Sequence, residues 1–171
     1  MDTLNPEQII AEMAAALRAL LDSQDIADPV MVGIYTGGVW IAQRLHQLLR
    51  LESPLGTLDI SFYRDDFTRV GMNPQVKPSL LPVNIEDRHI ILVDDVLNTG
   101  RTIRAALNEL FDYGRPASIL LAVLVERGGR ELPIQADVVG AHVKLARDRH
   151  IKLHGPAPLR LSLVESARPT V

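Results

Sequence analysis

Asp94 and Asp95 stand side by side directly after the apolar run Ile90-Ile91-Leu92-Val93, and Asn98-Thr99-Gly100-Arg101-Thr102 begins two apolar residues later. Neighbouring side chains at a strand end point to opposite sides, so the two acids do not grip one group together. Their hard oxygens suit a sugar diol or a Mg²⁺ ion near a phosphate. The N-T-G-R-T segment is a small polar loop opening a helix. Backbone N–H groups point outward there, the helix dipole favours an anion, and Gly100 allows close approach. The chemistry indicated is binding of a phosphorylated, hydroxyl-bearing ligand. A purely structural reading of the same residues also stands: a polar strand end, with Thr99 or Asn98 capping the helix.

These residues need a strand before them and a helix behind them. Ile90 to Val93 reads as a strand buried on both faces, as in a parallel sheet. Ile103, Ala106, Leu107, Leu110 and Phe111 keep the spacing of one helical face. A second strand–glycine–helix unit precedes it. Val30 to Tyr35 reads as a buried strand after Asp28-Pro29. Thr36-Gly37-Gly38 is its turn, and Ile41, Leu45, Leu48 and Leu49 share a helical face, with Trp40 near the start. At the N-terminus Asn5 can cap a helix, Pro6 suits its first position, and Gln8 can reach back as in a capping box. Ile10, Met13, Leu17 and Leu20 line one face of that helix, and Ala14, Ala15, Ala16 and Ala19 fill much of the rest.

Leu58, Ile60 and Phe62 alternate with Asp59, Ser61 and Tyr63, the pattern of a half-buried strand ending in Arg64-Asp65-Asp66. Residues 67–82 show little periodicity and carry Gly71, Pro74, Pro78 and Pro82. Such a loop is either a lid over a site or a surface excursion. Ala117 to Val125 is another central strand. It leads to Glu126-Arg127, where Arg127 meets a phosphate or pairs with Glu126 or Glu131. Ile134 to Gly140 is strand-like again. Lys144 to Lys152 is the most basic stretch and reads as a solvated face, an RNA contact or a pocket rim. Leu159, Leu161 and Leu163 alternate as a final strand.

With 171 residues and 47% apolar content, the chain is expected to form one domain, residues 1–171, with a sizeable core. A net charge of −3 argues against indiscriminate nucleic-acid binding. There is no cysteine, so disulfides and thiolate chemistry are excluded. No apolar run reaches 18 residues and no signal peptide is legible, so a cytoplasmic location is expected.

The run I-L-V-D-D-V-L-N-T-G-R-T closely resembles the phosphoribosyl-pyrophosphate (PRPP) signature of the type I phosphoribosyltransferases. The resemblance implies that Asp94 and Asp95 hold the ribose hydroxyls. Val96, Leu97, Asn98, Thr99, Gly100, Arg101 and Thr102 then form the 5′-phosphate loop. Thr36, Gly37 and Gly38 resemble the family's pyrophosphate loop, so a cis peptide is expected at Thr36–Gly37. The fold implied is α/β: a mainly parallel, doubly wound sheet, a flexible lid at about 64–82 that includes Arg64, Asp65 and Asp66, and a small hood from about 134 to the C-terminal region. Mg²⁺ would be held mainly through PRPP, its protein ligands unknown.

L-D-I-S-F-Y-R-D-D and D-Y-G-R-P-A-S-I-L-L-A-V-L-V-E-R-G-G-R-E-L-P-I-Q-A-D, with the PRPP run, are similar to the PyrR family over about residues 30–143. That likeness implies uracil phosphoribosyltransferase activity: uracil and PRPP give UMP and pyrophosphate. It also implies control of pyrimidine gene expression, with UMP or UTP sensed and pyrimidine operon mRNA or a protein as partner. The alternative is a nucleotide-sensing regulator with little turnover; transfer to a purine base is a third reading. Uracil would be read mainly by backbone groups after Ile134. Arg127 is a phosphate or base-side candidate. Arg130, Lys144, Arg147 and Arg149 are the RNA-patch candidates. A homo-oligomer is expected through the first helix. Three features depart from the family pattern: Gly37 replaces an arginine, Gly129 replaces a histidine, and alanines at 14 to 16 and 19 replace polar and cationic residues on the first helix.

Overall fold

Unbroken apolar runs build the centre of the molecule. Val30–Ile34, Gly56–Leu58, His89–Leu97, Ser118–Glu126 and Val138–His142 are strands β1 to β5 of the computed structural model, which describes residues 4–61, 79–146 and 148–165. They pair in the order β2-β1-β3-β4-β5, and every neighbouring pair is parallel. A parallel sheet is covered on both faces, which is why β1, β3 and β4 carry apolar residues at successive positions rather than alternate ones.

Strand parity sorts those residues between two layers. Met31, Ile91, Val93, Ala122 and Leu124 face helices α1 (Pro6–Ser23) and α2 (Gly37–Leu49), meeting Ile10, Met13, Leu17, Ile41 and Leu45. Val30, Val32, Ile90, Leu92, Leu121 and Val123 face α3 (Arg101–Tyr113), meeting Ile103, Ala106 and Leu110. The sheet is therefore doubly wound, as the β-α-β order of the sequence requires. A separate antiparallel pair, β6 (Arg149–His154) and β7 (Arg160–Glu165), follows it. Its Ile151 and Leu153, with Leu159, join the core on the α1–α2 side. Among the described residues no helix is long and apolar enough to cross a membrane.

Several local expectations shift. Asn5 caps α1 by accepting from the Glu7 amide at 3.0 Å, but Gln8 donates forward to Glu12 at 3.1 Å instead of reaching back. The i,i+4 partner on the helix surface is the nearer one. The buried face of α1 turns to include Ile9 and Leu21, leaving Leu20 half-buried. In α3, Ala105 and Glu109 are buried and Phe111 is exposed. Of the strand expected at 58–63, residues 62 and 63 lie outside the described residues; β2 is Gly56–Leu58, and Leu58, Asp59 and Ile60 are all buried. Asp59 explains the early end: its carboxylate accepts from both the Ser61 amide and the Ser61 hydroxyl, which folds the chain into a turn. Residues 134–137 precede β5 instead of belonging to it. The Asp137 carboxylate takes the Leu121 amide at 2.7 Å, a donor that a neighbouring strand would otherwise use. From Val138 the chain pairs with β4, so the segment expected to open the hood contributes the fifth strand of the main sheet. Arg149 to Lys152, read as part of a charge run, lies in β6.

Candidate active site

The sheet opens at one edge, and the acid pair stands there. β1 and β3 stay in register only as far as Gly33 opposite Val93, whereas β3 and β4 remain paired to Leu97 opposite Glu126. Asp94 and Asp95 therefore lie inside β3, not beyond its end as the sequence suggested. The long partner β4 carries the strand past them. Beyond Val93, β3 has lost β1 on its other side. The chain leaves β1 towards β2 on one flank, and β3, β4 and β5 build the other. The β1/β3 junction is thus the topological switch point, where sheets of this kind form a crevice.

Two glycines bring the start of α2 against this opening. A Cβ on Gly37 would lie 2.4 Å from Asp95 Oδ2, and a Cβ on Gly38 would lie 2.5 Å from the Val93 carbonyl oxygen. Neither glycine has a positive φ, so the demand is for space, not for a left-handed backbone. The only non-proline cis peptide among the described residues is Tyr35–Thr36, one residue before the expected position. Gly37 already opens α2, and the Thr36–Gly37 peptide belongs to the entry of its first turn, which is built from trans peptides.

Asp94 is buried, and its Oδ1 accepts the Asp95 amide at 2.9 Å; Asp95 Oδ1 accepts the Val96 amide at 2.9 Å. Both carboxylates are thereby held by the main chain. Asp95 lines a cavity of about 440 Å³ together with Tyr35, Thr36 and Gly37 from the β1–α2 turn, and Trp40 from α2. Asp59, Ile60 and Ser61 enter it from the end of β2, and Lys152 and Leu153 from β6. Asp59, Ser61, Trp40 and Lys152 escaped assignment as site residues in the sequence. For Asp59 the usable signal was its place at the C-terminal end of a strand. For Lys152 the only signal was the pocket-rim reading of the whole 144–152 stretch, because tertiary packing alone decides which of its residues reaches the cavity.

The phosphate-loop candidates divide. Val96 and Leu97 belong to β3: Val96 packs against the core, and the buried Leu97 accepts the Arg127 amide at 3.0 Å through its carbonyl. Asn98 to Thr102 are the loop and the start of α3. Gly100 has φ 93 and sits at the helix N-cap, a conformation that favours glycine. The Arg101 amide donates to Thr99 Oγ1 at 3.2 Å, and the Thr99 carbonyl accepts from Glu131 and Leu132. Arg101 also pairs with Glu131 at 2.8 Å. The loop is thus tied to the segment after β4.

Arg127 meets neither acid expected for it. Glu126 is taken by Arg130 at 3.1 Å and lies 3.3 Å from His142, and Glu131 is taken by Arg101. The buried Arg127 instead donates from Nη1 to His150 Nδ1 at 2.8 Å, so a neutral His150 carries its proton on Nε2. Arg127 Nε is buried without a hydrogen-bond partner. This contact ties the end of β4 to β6.

One further buried acid stands behind the site. The Ser79 hydroxyl donates to Glu109 Oε1 and accepts the Asp59 amide at 2.9 Å. Burial raises the Glu109 pKa above its ordinary value; the Ser79 bond opposes that shift, while Asp59 and Asp112 add to it.

The model of the phosphoribosyl transferase domain matches residues 2–150. The chain is 61% identical over 163 residues to the bifunctional protein PyrR of Nitrosococcus oceani, covering 94% of this chain and 92% of that one. It is 58% identical over 161 residues to the bifunctional protein PyrR of Pseudomonas paraeruginosa, covering 94% and 95%. The chain belongs to the PyrR family. A solved hypoxanthine phosphoribosyltransferase of Trypanosoma cruzi superposes with a TM-score of 0.68 over 95% of this chain and 93% of that one, at 19% identity, a likeness of fold. The type I phosphoribosyltransferase fold expected from the sequence is the one observed.

In this PyrR-family chain the remaining candidates scatter. Arg130 and Arg149 are exposed and paired, Arg149 with Glu165 at 3.4 Å; Lys144 is exposed. None of the three lines the cavity. Arg64, Asp65, Asp66 and Arg147 lie outside the described residues. Gly129 has a structural reason: its φ is 83, and a Cβ there would lie 2.9 Å from Asn98 Oδ1.

Proposed function

We propose that this chain transfers a 5-phosphoribosyl group from PRPP to uracil, giving UMP and pyrophosphate, and that the same pocket reports pyrimidine nucleotide levels to gene control. The observation that carries the reading is the close seating of the Thr36-Gly37-Gly38 turn on Asp95 at the switch point. The turn we assign to the diphosphate and the acid we assign to the ribose diol would thereby share one crevice. In the reaction the bond from the anomeric carbon to a pyrophosphate oxygen breaks, and a bond to a uracil ring nitrogen forms as that nitrogen gives up its proton. Asp94 and Asp95 orient the ribose hydroxyls beside the developing positive charge. The N-terminus of α3 holds the 5′-phosphate, and the 35–37 turn takes the pyrophosphate.

Mg²⁺ would neutralise charge on the leaving pyrophosphate when bound. The donors fit an ion carried mainly by substrate. Asp94 and Asp95 offer hard oxygens, and no cluster of three or more metal-binding side chains occurs among the described residues.

A competition assay tests the base: PRPP with uracil, hypoxanthine or guanine, with product identified by chromatography. Uracil consumed in strong preference supports the reading; preferred use of a purine sinks it. For regulation, Arg130, Lys144, Arg147 and Arg149 remain our candidate contacts for pyrimidine operon mRNA, with a protein as the other partner. Salt-dependent, sequence-specific RNA retention supports the first, and nucleotide binding without RNA affinity supports the second. We also propose a cytoplasmic homo-oligomer, which light scattering on the eluted protein would test.

A further inference from the structure

Among the described residues, the lining of the cavity beside Asp95 carries two carboxylates and one cation. Asp59 and Asp95 both line it, and Thr36, Ser61 and Tyr35 are neutral polar neighbours. Gly37 brings no side chain and leaves no room for one against Asp95. A diphosphate entering there meets two carboxylates. Among the described lining residues the single cation is Lys152.

The fold places Lys152 deliberately. Strand alternation in β6 buries Ile151 and Leu153 in the core and leaves the intervening Lys152 side chain exposed. Three further contacts fix the hairpin that carries it. Arg127 donates to His150 at 2.8 Å. Arg44 of α2 donates to the Pro156 carbonyl at 2.7 Å. Gly155 lies against the Trp40 ring, which a Cβ would approach to 2.6 Å. Lys152 thereby lines the same cavity as the 35–37 turn from a braced element, not from a free tail.

We propose that Lys152 is the cationic contact for the pyrophosphate half of PRPP, supplying from β6 the charge that the glycine turn does not. The inference rests on the PRPP reading of this crevice. It assigns to Lys152 a ligand group that PRPP and pyrophosphate carry and UMP lacks.

The test measures binding of PRPP, inorganic pyrophosphate and UMP, each with Mg²⁺, to the wild type, Lys152→Met and Lys152→Arg by titration calorimetry. Thermal unfolding checks that each variant folds, as an exposed side chain should allow. Loss of one charge-assisted contact weakens PRPP and pyrophosphate binding about tenfold or more in Lys152→Met, and leaves UMP binding unchanged. Lys152→Arg recovers most of the loss. The steepness of the salt dependence for pyrophosphate falls in Lys152→Met and returns in Lys152→Arg. Unchanged PRPP binding in Lys152→Met overturns the proposal, and so does an equal loss for UMP, which would mark a general packing role. A wild type that binds neither PRPP nor UMP overturns the PRPP reading itself, and this proposal with it.

Discussion

Adding one methyl group at Gly37 or at Gly38 should separate the chemistry of the site from the stability of the fold. Both glycines lie in the first turn of α2 without a positive φ. Alanine is therefore allowed by the backbone, and by propensity alone it should stabilise a helix by about 0.5–1 kcal/mol. The surroundings decide the net effect. At Gly38 the new Cβ would lie 2.5 Å from the Val93 carbonyl oxygen and 3.1 Å from Asp94 Cα. These are main-chain atoms of the central strand and do not move aside. Overpacking of this kind costs about 1–3 kcal/mol, and a main-chain clash belongs at the upper end. After the propensity gain, Gly38→Ala should destabilise by about 2 kcal/mol, lowering Tm by roughly 4–8 °C. At Gly37 the three atoms nearest the new Cβ all belong to Asp95: Oδ2 at 2.4 Å, Cγ at 2.8 Å and Cβ at 2.9 Å. The carboxylate can turn away at a cost of about 1 kcal/mol, but side-chain rotation does not move Asp95 Cβ, so the start of α2 must also give way slightly. Gly37→Ala should destabilise by about 1 kcal/mol, less than Gly38→Ala, because its nearest clash is with a carboxylate that can turn and not with main-chain atoms. It should lose its hold on ribose, because Asp95 has moved. Charged hydrogen bonds are worth about 1.5–3 kcal/mol, which is roughly a 10- to 150-fold fall in kcat/KM for PRPP. Denaturant unfolding and UMP-forming turnover on the same preparations check both. A Gly38→Ala protein as stable as the wild type, or a Gly37→Ala protein with full activity, would refute the claim that these glycines exist to seat α2 on the acid pair.

Three further outcomes follow from the same geometry. The Glu109 pKa is raised in the fold, so the native state holds a proton that the unfolded chain releases, and stability falls as pH rises from about 4.5 towards the folded value. Glu109→Gln should therefore match the wild type near pH 4 and be the more stable above it; parallel unfolding curves from pH 4 to 8 with no widening gap would contradict this. Arg127→Met removes the bond to His150 together with a buried, unpartnered Nε. Amide exchange should then quicken in β6 while β3 keeps its protection, and unchanged β6 exchange would show that the contact braces nothing. Asn98→Ala should spare stability, since no side-chain hydrogen bond caps α3, yet weaken UMP binding if the loop takes the phosphate; calorimetry with UMP reads this directly.

The parts of the molecule written locally were the legible ones. Ile90 to Val93 fits a strand covered on both sides, and Gly100 before a periodic apolar face fits the opening of a helix, so the central unit could be read residue by residue. The acid pair showed its chemistry but not its place inside β3, because the length of a strand is set by its partner, here Ser118–Glu126. Arg127 read as a phosphate contact or as a match for a neighbouring glutamate. Its true partner, His150, is 23 residues away and reached only through the hairpin. Leu58 to Tyr63 promised an alternating strand, but one side-chain cap, Asp59 on Ser61, ended it. Lys152 was hidden in a charge run, since nothing local says which lysine of a basic stretch will face a cavity.

The most direct test of the account is steady-state UMP formation from uracil and PRPP with Mg²⁺, comparing the wild type with Asp94→Asn and Asp95→Asn proteins of verified fold. The account predicts turnover in the wild type and a loss of at least about tenfold in each variant, since each removes a charge-assisted contact to ribose. Wild-type turnover that survives both substitutions would place the chemistry elsewhere and contradict it.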